Sequence, residues 1–474
     1  MTRALLWLSL ALVAFRVLSA AFVVIQPGFT DAYYYVDVAR RLAHGQGLTA
    51  DFVWNFIEAP QLAPLPVPSH RFWMPLTTVV QAAGIATLEP LLGAFRSAQA
   101  AIIAVAAFIP AATYAAARSV GATPRAALAG AALAGIGGGA FAPAWVTLDS
   151  FAIAALAGTC FFIAFAQAAD GGVRAGAFAG ALVGLLFLAR AEGSLFGVAL
   201  LALAARPVSR RAGIAGALIA LAVGLGWLAR GQLLGGSPDL LARSALLARY
   251  EDFFAIQPTG AADLATIAMT RVGALWSDLV VAVFGLLVFL AFPLYLGLRA
   301  AWRLPAVRAF AGLALLIYVA EGVIWPLHAT RGSYFHSLAA FYPFAMALVA
   351  VGGEAWLNQR DAAMRRLAVT GTLFAAAGLA VFGLLTWNTA FNAPYRARLA
   401  ALDAIPAGPF LAIDAACVAA RYGASSVVVE PAHFSTYDGL FRGLGPQVFE
   451  PAIDRGGILI FPMPARVICG FDQQ

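Results

Sequence analysis

Apolar residues fill the chain in long blocks separated by short polar connections. Most blocks run roughly 18 to 25 residues, the length a helix needs to cross about 30 Å of hydrocarbon. The pattern predicts about eleven spans, at 5–25, 95–117, 126–141, 145–167, 175–189, 194–205, 214–228, 272–298, 307–327, 335–355 and 367–387. Two of these are short for a bilayer. The stretch 73–89 is also apolar, but counting it as a span breaks the charge alternation described below. It is therefore predicted to be an interfacial or re-entrant helix, with Arg96 at the outer end of the next span. After residue 387 the pattern changes. The short runs 410–413, 426–429 and 458–461 are apolar or β-branched and bounded by Gly, Pro or Asp, which reads as buried strands, with 414–422 as a crossover helix. The predicted fold class is a mainly α, polytopic membrane protein. Residues 1–387 form its transmembrane domain, the first outer loop, 26–96, carries juxtamembrane helices, and 388–474 form a small C-terminal α/β domain.

Composition agrees with lipid as the solvent. The chain is 62% hydrophobic and 11% charged, against roughly 25% charged residues in soluble domains. Every basic residue is arginine, and thirteen of them (Arg3, Arg118, Arg125, Arg174, Arg206, Arg210, Arg211, Arg299, Arg303, Arg308, Arg360, Arg365 and Arg366) fall at one set of alternate connections, opposed there by only Asp170 and Asp361. An arginine excess in short loops marks the cytoplasmic side. It puts the N-terminus inside, and an odd number of spans puts the C-terminal domain outside. Arginines spread over short loops, with no basic stripe, exclude nucleic-acid binding as the reason for the net charge of +7. The Ala- and Arg-rich, lysine-free composition suggests a GC-rich bacterial genome, hence the plasma (inner) membrane.

Residues 1–21 resemble a cleavable signal peptide, but the apolar stretch resumes through Ile25 and favours a retained first helix. Arg16 within it is expected to face the bundle interior or a neighbouring helix, because a lipid-facing charge is costly. Cys160 reads as a small buried hydrophobe. Cys417 and Cys469 both fall in the exterior domain, where a disulfide is permitted.

Polar groups gather on the outer side. The first outer loop opens Pro27-Gly28-Phe29-Thr30-Asp31-Ala32-Tyr33-Tyr34-Tyr35, and the spacing of Tyr34, Val38 and Leu42 gives the ensuing helix an apolar face. Asp31 reads either as a first-turn acid satisfying free N–H groups or as a catalytic carboxylate. His44, His70, His328, His336 and His433 form no metal-ligand spacing. The sequence holds no Walker loop, no dinucleotide-binding glycine turn and no nucleophilic triad.

These residues carry a resemblance. An acid directly after the first span, a Tyr-containing helix and Gly45-Gln46-Gly47 resemble the GT-C class of integral-membrane glycosyltransferases. Asp31-Ala32-Tyr33-Tyr34-Tyr35 with Ala39-Arg40, Asp51 to Asn55 and Pro68 to Leu76 resemble its bacterial protein-mannosyltransferase-like members. Thr147 to Phe151, Leu188 to Gly193, Tyr250 to Phe254 and Arg331 to Ser337 extend the likeness over nearly all the membrane part.

The resemblance implies transfer of a sugar from a polyprenyl-phosphate donor to an acceptor outside the cytoplasm, by a hexosyltransferase of the mannosyltransferase type. It implies Asp31 as general base and Asp149 as a second acid. Asp149 reads equally as a cap of the following span. Arg331 first, then Arg190, then Arg71 are candidates for the phosphate of the leaving lipid, with His70, Tyr34, Glu192 and His336 at the substrate. Arg190 reads alternatively as the partner of Glu192, and His70 and Arg71 as anchors of their loop. No resident metal is implied by spacing, although members of the class differ in metal use and a divalent ion near Asp31 and Asp149 is compatible with it. Two other readings stand beside this one. A transporter or flippase of lipid-linked sugars would place charges mid-span, where only Glu321 and Arg16 qualify. A non-catalytic assembly factor would use the exterior tail.

Overall fold

The computed structural model describes residues 2–28, 30–50, 66–71, 73–234, 263–286, 289–393 and 395–396, and four short strands near the C-terminus. The sequence motifs at 51–55 and 250–254, the crossover helix at 414–422 and the Cys417–Cys469 pairing lie outside them. Among the described residues, seven helices are long and apolar enough to cross a membrane, or nine if two bent helix pairs each count as one span. The chain is thus a multi-pass helical membrane protein.

The helices in chain order are α1 (Thr2–Phe22), α2 (Thr30–Ala43), α3 (Leu76–Ala106), α4 (Ile109–Ser119), α5 (Pro124–Ile136), α6 (Gly138–Ala144), α7 (Phe151–Ala169) and α8 (Val173–Ala189). A 3-10 turn (Ala191–Phe196) leads into α9 (Gly197–Ala204) and α10 (Arg210–Leu233), followed by α11 (Leu264–Val280) with a π turn (Val281–Leu286). Then come α12 (Ala291–Ala301), α13 (Pro305–Val323), α14 (Pro326–Ala329), α15 (Ser333–Ala339), α16 (Tyr342–Leu357) and α17 (Ala362–Trp387). The span expected at 126–141 is the bent pair α5 and α6, and that at 335–355 is the bent pair α15 and α16. The spans expected at 175–189 and 194–205 are shorter apolar helices, because Arg190 adopts an extended conformation between them. The segment expected to span at 272–298 starts earlier, at Leu264, and its regular helix ends at Val280, where a π turn interrupts it before α12.

Residues 73–89 were expected as a helix separate from the next span, and α3 shows how this is built. Gly93 adopts φ +73°, a left-handed conformation that glycine takes without a Cβ penalty. The two limbs of α3 then fold against each other: a Cβ on Gly84 would collide with Ala101 and crowd the Ser97 carbonyl. The second limb continues into α4. Elsewhere small residues let helices approach to backbone contact, as in membrane bundles generally. A Cβ at Gly176 or Gly180 on α8 would strike the carbonyls of Ala212 and Gly216 on α10. One at Gly158 on α7 would strike the carbonyl of Ala340, just after α15.

Buried Phe141, Trp145, Phe151 and Tyr342, with half-buried Phe335, form an aromatic core that ties α6 to the α15–α16 bend, with Phe141 stacked on Trp145 at 4.8 Å and on Phe335 at 5.1 Å. Near the C-terminus, strands β3 (Phe410–Leu411), β4 (Ser426–Val429), β5 (Ile453–Arg455) and β6 (Ile458–Pro462) follow a two-residue pair, β1 (Thr49–Ala50) and β2 (Val67–Pro68), in the first loop. The C-terminal sheet has the order β3-β4-β6-β5, parallel between β3 and β4 and antiparallel elsewhere.

Candidate active site

The end of α1 and the end of α17 are pinned together, and this sets where Asp31 starts. Gln26 Oε1 accepts from the Gly28 amide (2.6 Å) and the Tyr33 hydroxyl (2.7 Å), while Asn392 Nδ2 donates to the Val23 carbonyl (2.8 Å). Gly28, at φ +88°, packs so tightly on the Trp387 indole that a side chain would collide with it. The chain then turns into α2, with Asp31 in its first turn and half-buried, and Tyr35 one turn later and buried.

The loop between α6 and α7 carries Asp149. The α3 hairpin grips it: Gln81 on the first limb donates to the Leu148 carbonyl (2.8 Å), and Gln99 on the second donates to those of Val146 and Val24 (3.0 Å each). Arg96 donates to the Ala20 carbonyl (2.7 Å) and to Gln99 Oε1 (2.6 Å). Helix α7 begins at Phe151 after Ser150, so Asp149 precedes the helix instead of serving as its N-cap residue. Its Oδ1 accepts from the Ser150 amide at 2.5 Å and its Oδ2 lies 3.0 Å from His336 Nε2. The other ring nitrogen, Nδ1, meets the Gly332 carbonyl at 2.8 Å, and the ring stacks on Phe151 at 4.1 Å.

The seven-residue helix α15 reaches three carboxylates from three other elements. His336 holds Asp149, the Ser333 hydroxyl donates to Glu192 Oε1 (2.5 Å), and the Ser337 hydroxyl donates to Glu321 on α13. Arg190 bridges Glu192 Oε1 (3.2 Å) and Ser333 Oγ (3.3 Å). Asp31, Asp149 and Glu192 all interact electrostatically with both Tyr35 and Arg190. Four segments distant in sequence therefore converge at one end of the bundle.

Burial alone would favour neutral carboxyls here. For Asp149 burial is outweighed by His336, Arg190 and the Ser150 amide, and the carboxyl stays below its usual range. For Glu192 burial is outweighed by Arg190 and Ser333, which hold it at about 2. Burial opposes the Arg190 charge, but Glu192, Tyr35, Asp149 and Asp31 raise its pKa above the ordinary value. Asp149 and Glu192 are thus held ionised beside the Arg190 guanidinium.

His70 and Tyr34, expected at the substrate, lie one layer behind Tyr35. Tyr34 has 0% exposure and its hydroxyl accepts from the His70 amide (2.7 Å). His70 adopts φ +55°, its ring meets the Trp73 carbonyl through Nδ1 (3.3 Å) and the Thr78 hydroxyl through Nε2 (3.0 Å), and it stacks on Tyr35. Burial pushes its pKa down to about 3, so it is a neutral anchor of the loop. Arg71 follows it, half-buried, and Arg331 is exposed in the connection between α14 and α15. Arg230 escaped the sequence reading. At the end of α10, it donates to the carbonyls of His70 (3.2 Å) and Ser69 (3.0 Å) and lies over the Trp227 ring at 4.6 Å. The one signal for it is the Trp-x-x-Arg spacing at a span end, which places both on one helix face. His328, in α14, interacts with Glu192 and Arg190, and burial lowers its pKa to about 4.

Among the described residues no three His, Cys, Asp or Glu side chains converge on a metal position. The donor chemistry fits a divalent ion poorly, because Asp149 and Glu192 already face His336 and Arg190. The arrangement offers a guanidinium to an anionic oxygen.

The fold is similar to that of solved membrane glycosyltransferases. ArnT from Cupriavidus metallidurans in the apo state superposes with a TM-score of 0.57 over 98% of each chain, at 14% identity. The same protein bound to undecaprenyl phosphate gives 0.57 over 97% of this chain and 98% of that one, at 14% identity. The oligosaccharyltransferase AglB from Archaeoglobus fulgidus, in complex with an inhibitory peptide and a dolichol-phosphate, gives 0.50 at 15% identity over 81% of this chain. This chain spans about half of AglB, 55% of its length. The chain has the GT-C glycosyltransferase fold. No protein-family model matches it, and no curated protein matches it in sequence.

Proposed function

We propose that the protein is a glycosyltransferase of the bacterial inner membrane that moves a sugar from a polyprenyl-phosphate donor to an acceptor on the extracytoplasmic side. The observation that carries this reading is the convergence of Asp31, Asp149, Arg190 and Glu192 at one end of a GT-C fold. ArnT bound to undecaprenyl phosphate and AglB bound to a dolichol-phosphate support a lipid-phosphate donor. The arginine distribution supports an N-terminus in the cytoplasm and a site outside, and with it eleven spans and an exterior α/β domain over 388–474.

In the proposed reaction Asp31 removes the proton from the acceptor hydroxyl as its oxygen bonds to the anomeric carbon. The bond from that carbon to the phosphate oxygen breaks, and polyprenyl phosphate leaves. Asp31 suits the base because it is half-buried and follows the first span directly, whereas Asp149 has 0% exposure and Glu192 is held by Arg190 and Ser333. Asp149 acts through His336, holding α15 against the start of α7. Arg190 stabilises charge growing on the phosphate. Two of its contacts are spent on Glu192 and Ser333, and its Nε–H is buried without a partner, a donor left for an anionic oxygen. Arg331 and Arg71 are proposed to draw the lipid phosphate toward it. A mannosyl-type hexose is the proposed sugar, by resemblance alone.

The deciding experiment compares wild type with Asp31→Asn in detergent, using labelled polyprenyl-phosphate sugars and a membrane extract as acceptor source. Transfer should fall by about 100- to 10,000-fold in a folded mutant. Equal transfer in both would remove Asp31 from the chemistry. Transport of lipid-linked sugar with no transfer would favour a flippase.

A further inference from the structure

Two acids of the bundle reach the cluster from behind, and the proposed reaction uses neither. Glu321 lies in the last turn of α13, 1% exposed; its Oε1 accepts from Ser337, and its Oε2 has no partner. Asp278 lies in the last turn of α11 with 0% exposure, and among the described residues neither of its carboxyl oxygens has a partner. Both act on the Tyr334 hydroxyl, as does Tyr318, and the two tyrosine rings meet edge to face at 5.9 Å. Tyr318 also clips α13 to α11 by donating to the Leu275 carbonyl at 3.0 Å. Glu321 interacts electrostatically with Glu192 and Arg190, so the group borders the cluster.

A buried carboxylate oxygen without a donor has lost its hydration without compensation, and native proteins retain few of these without a function. Ionisable residues inside a membrane bundle carry the same implication. Here four carboxyl oxygens lie beside two phenol rings; among the described residues Ser337 and Ser333 are donors to Glu321, and Glu321 Oε2 and both Asp278 oxygens have none. The group that completes them must bring hydrogen-bond donors and no negative charge. The hydroxyl-bearing edge of a neutral sugar does this, with carboxylates accepting from its hydroxyls and aromatic faces covering its C–H surface.

We infer that Glu321 and Asp278, with Tyr318 and Tyr334, form the subsite for the donor's sugar and select a non-anionic one. The inference rests on the glycosyltransferase reading, since it is the phosphate at Arg190 that would bring the sugar to Glu321. A uronic acid in the same place would bury a further acid beside two that have no cation of their own, and be rejected.

The test measures binding of three probes to the full chain in detergent: undecaprenyl phosphate, polyprenyl-phosphate mannose and polyprenyl-phosphate glucuronate. Wild type should bind the mannosyl lipid at least about tenfold more tightly than the glucuronosyl lipid. Glu321→Gln and Asp278→Asn, which keep the shape of the side chains, should each weaken mannosyl-lipid binding by about tenfold or more. Both should leave undecaprenyl phosphate affinity within about twofold, which also reports that each variant is folded. Equal wild-type affinity for the two sugars overturns the subsite, as does unchanged mannosyl-lipid affinity in both variants. Failure of the wild type to bind undecaprenyl phosphate is a separate result, and it overturns the glycosyltransferase reading together with the subsite built on it.

Discussion

His336 Nε2 lies 3.0 Å from Asp149 Oδ2 across 187 residues of chain, and the ring is stacked on Phe151, two residues beyond that acid. The contact locks α15 to the start of α7, and through α15 the same acid is linked to Ser333 and Glu192. Asp149→Asn keeps the shape and removes the charge, so it should cost about 1.5–3 kcal/mol at neutral pH, the worth of a hydrogen bond to a charged group. Thermal unfolding in detergent measures this. The Asp149 carboxyl titrates lower in the fold than in the unfolded chain. Its contribution is therefore complete above the unfolded value, about 3.9, and fades as pH falls through the folded one. The gap between wild type and Asp149→Asn should close in acid, and a gap that widened there would remove the Asp149 carboxylate's charge as its cause.

Arg190 and Glu192 invite a double-mutant cycle. Their side chains are 11% and 16% exposed. Arg190→Met leaves Glu192 as an uncompensated buried charge and should cost about 3–5 kcal/mol. Adding Glu192→Gln should return a large part of that stability while transfer stays lost, because the guanidinium is what the leaving phosphate needs. Recovery of transfer in the double variant would reduce Arg190 to a structural partner of Glu192.

Much of this arrangement was legible in the sequence, and the rest was hidden for identifiable reasons. The acid after the first span and the Arg190-Ala191-Glu192 junction are local signals, and each coincides with a real break between helices. The helix limb at 76–92 was legible as distinct from the next span through the charge pattern, and Gly93 is where the structure breaks it. What brings His336 to Asp149, Ser333 to Glu192 or Gln99 to Val146 is packing across the bundle, which no periodicity records. The surroundings of the arginines were hidden likewise. Arg331 and Arg190 look alike in sequence, but one is exposed between short helices and the other is buried among acids. Bent and π-turned helices blur span boundaries, because hydropathy reads apolar length and not the direction of the axis.

Gly158 sets the distance between α7 and the segment that carries His336. Gly158→Ala would press a methyl group into the Ala340 carbonyl, an overpacking cost of about 1–3 kcal/mol. It should also lower transfer, by moving α15 away from Asp149. Gly312, on α13, has no atom within 4 Å of where its Cβ would lie, so Gly312→Ala should gain about 0.5–1 kcal/mol from helix propensity and leave transfer unchanged. Equal effects of the two substitutions would mean that Gly158 does not act through the Ala340 contact.

Arg16 distinguishes the enzyme from a transporter. Its side chain is buried in the bundle with 1% exposure, Nη2 donates to the Gly135 carbonyl at 3.1 Å, and among the described residues Nε and Nη1 have no partner. Gly135 is in the last turn of α5, so the guanidinium lies where the carbonyl ends of that helix favour positive charge. If the residue only fastens α1 to the bend between α5 and α6, Arg16→Met replaces an under-bonded buried charge with an apolar chain of similar length. Such exchanges are commonly neutral or stabilising by about 1–4 kcal/mol, and transfer should persist at the wild-type rate. A charge that lined a transport path would behave differently, since its loss would stop movement of lipid-linked sugar without lowering stability. Melting temperature and transfer rate of this one variant, measured beside a vesicle assay for lipid movement, separate the two readings.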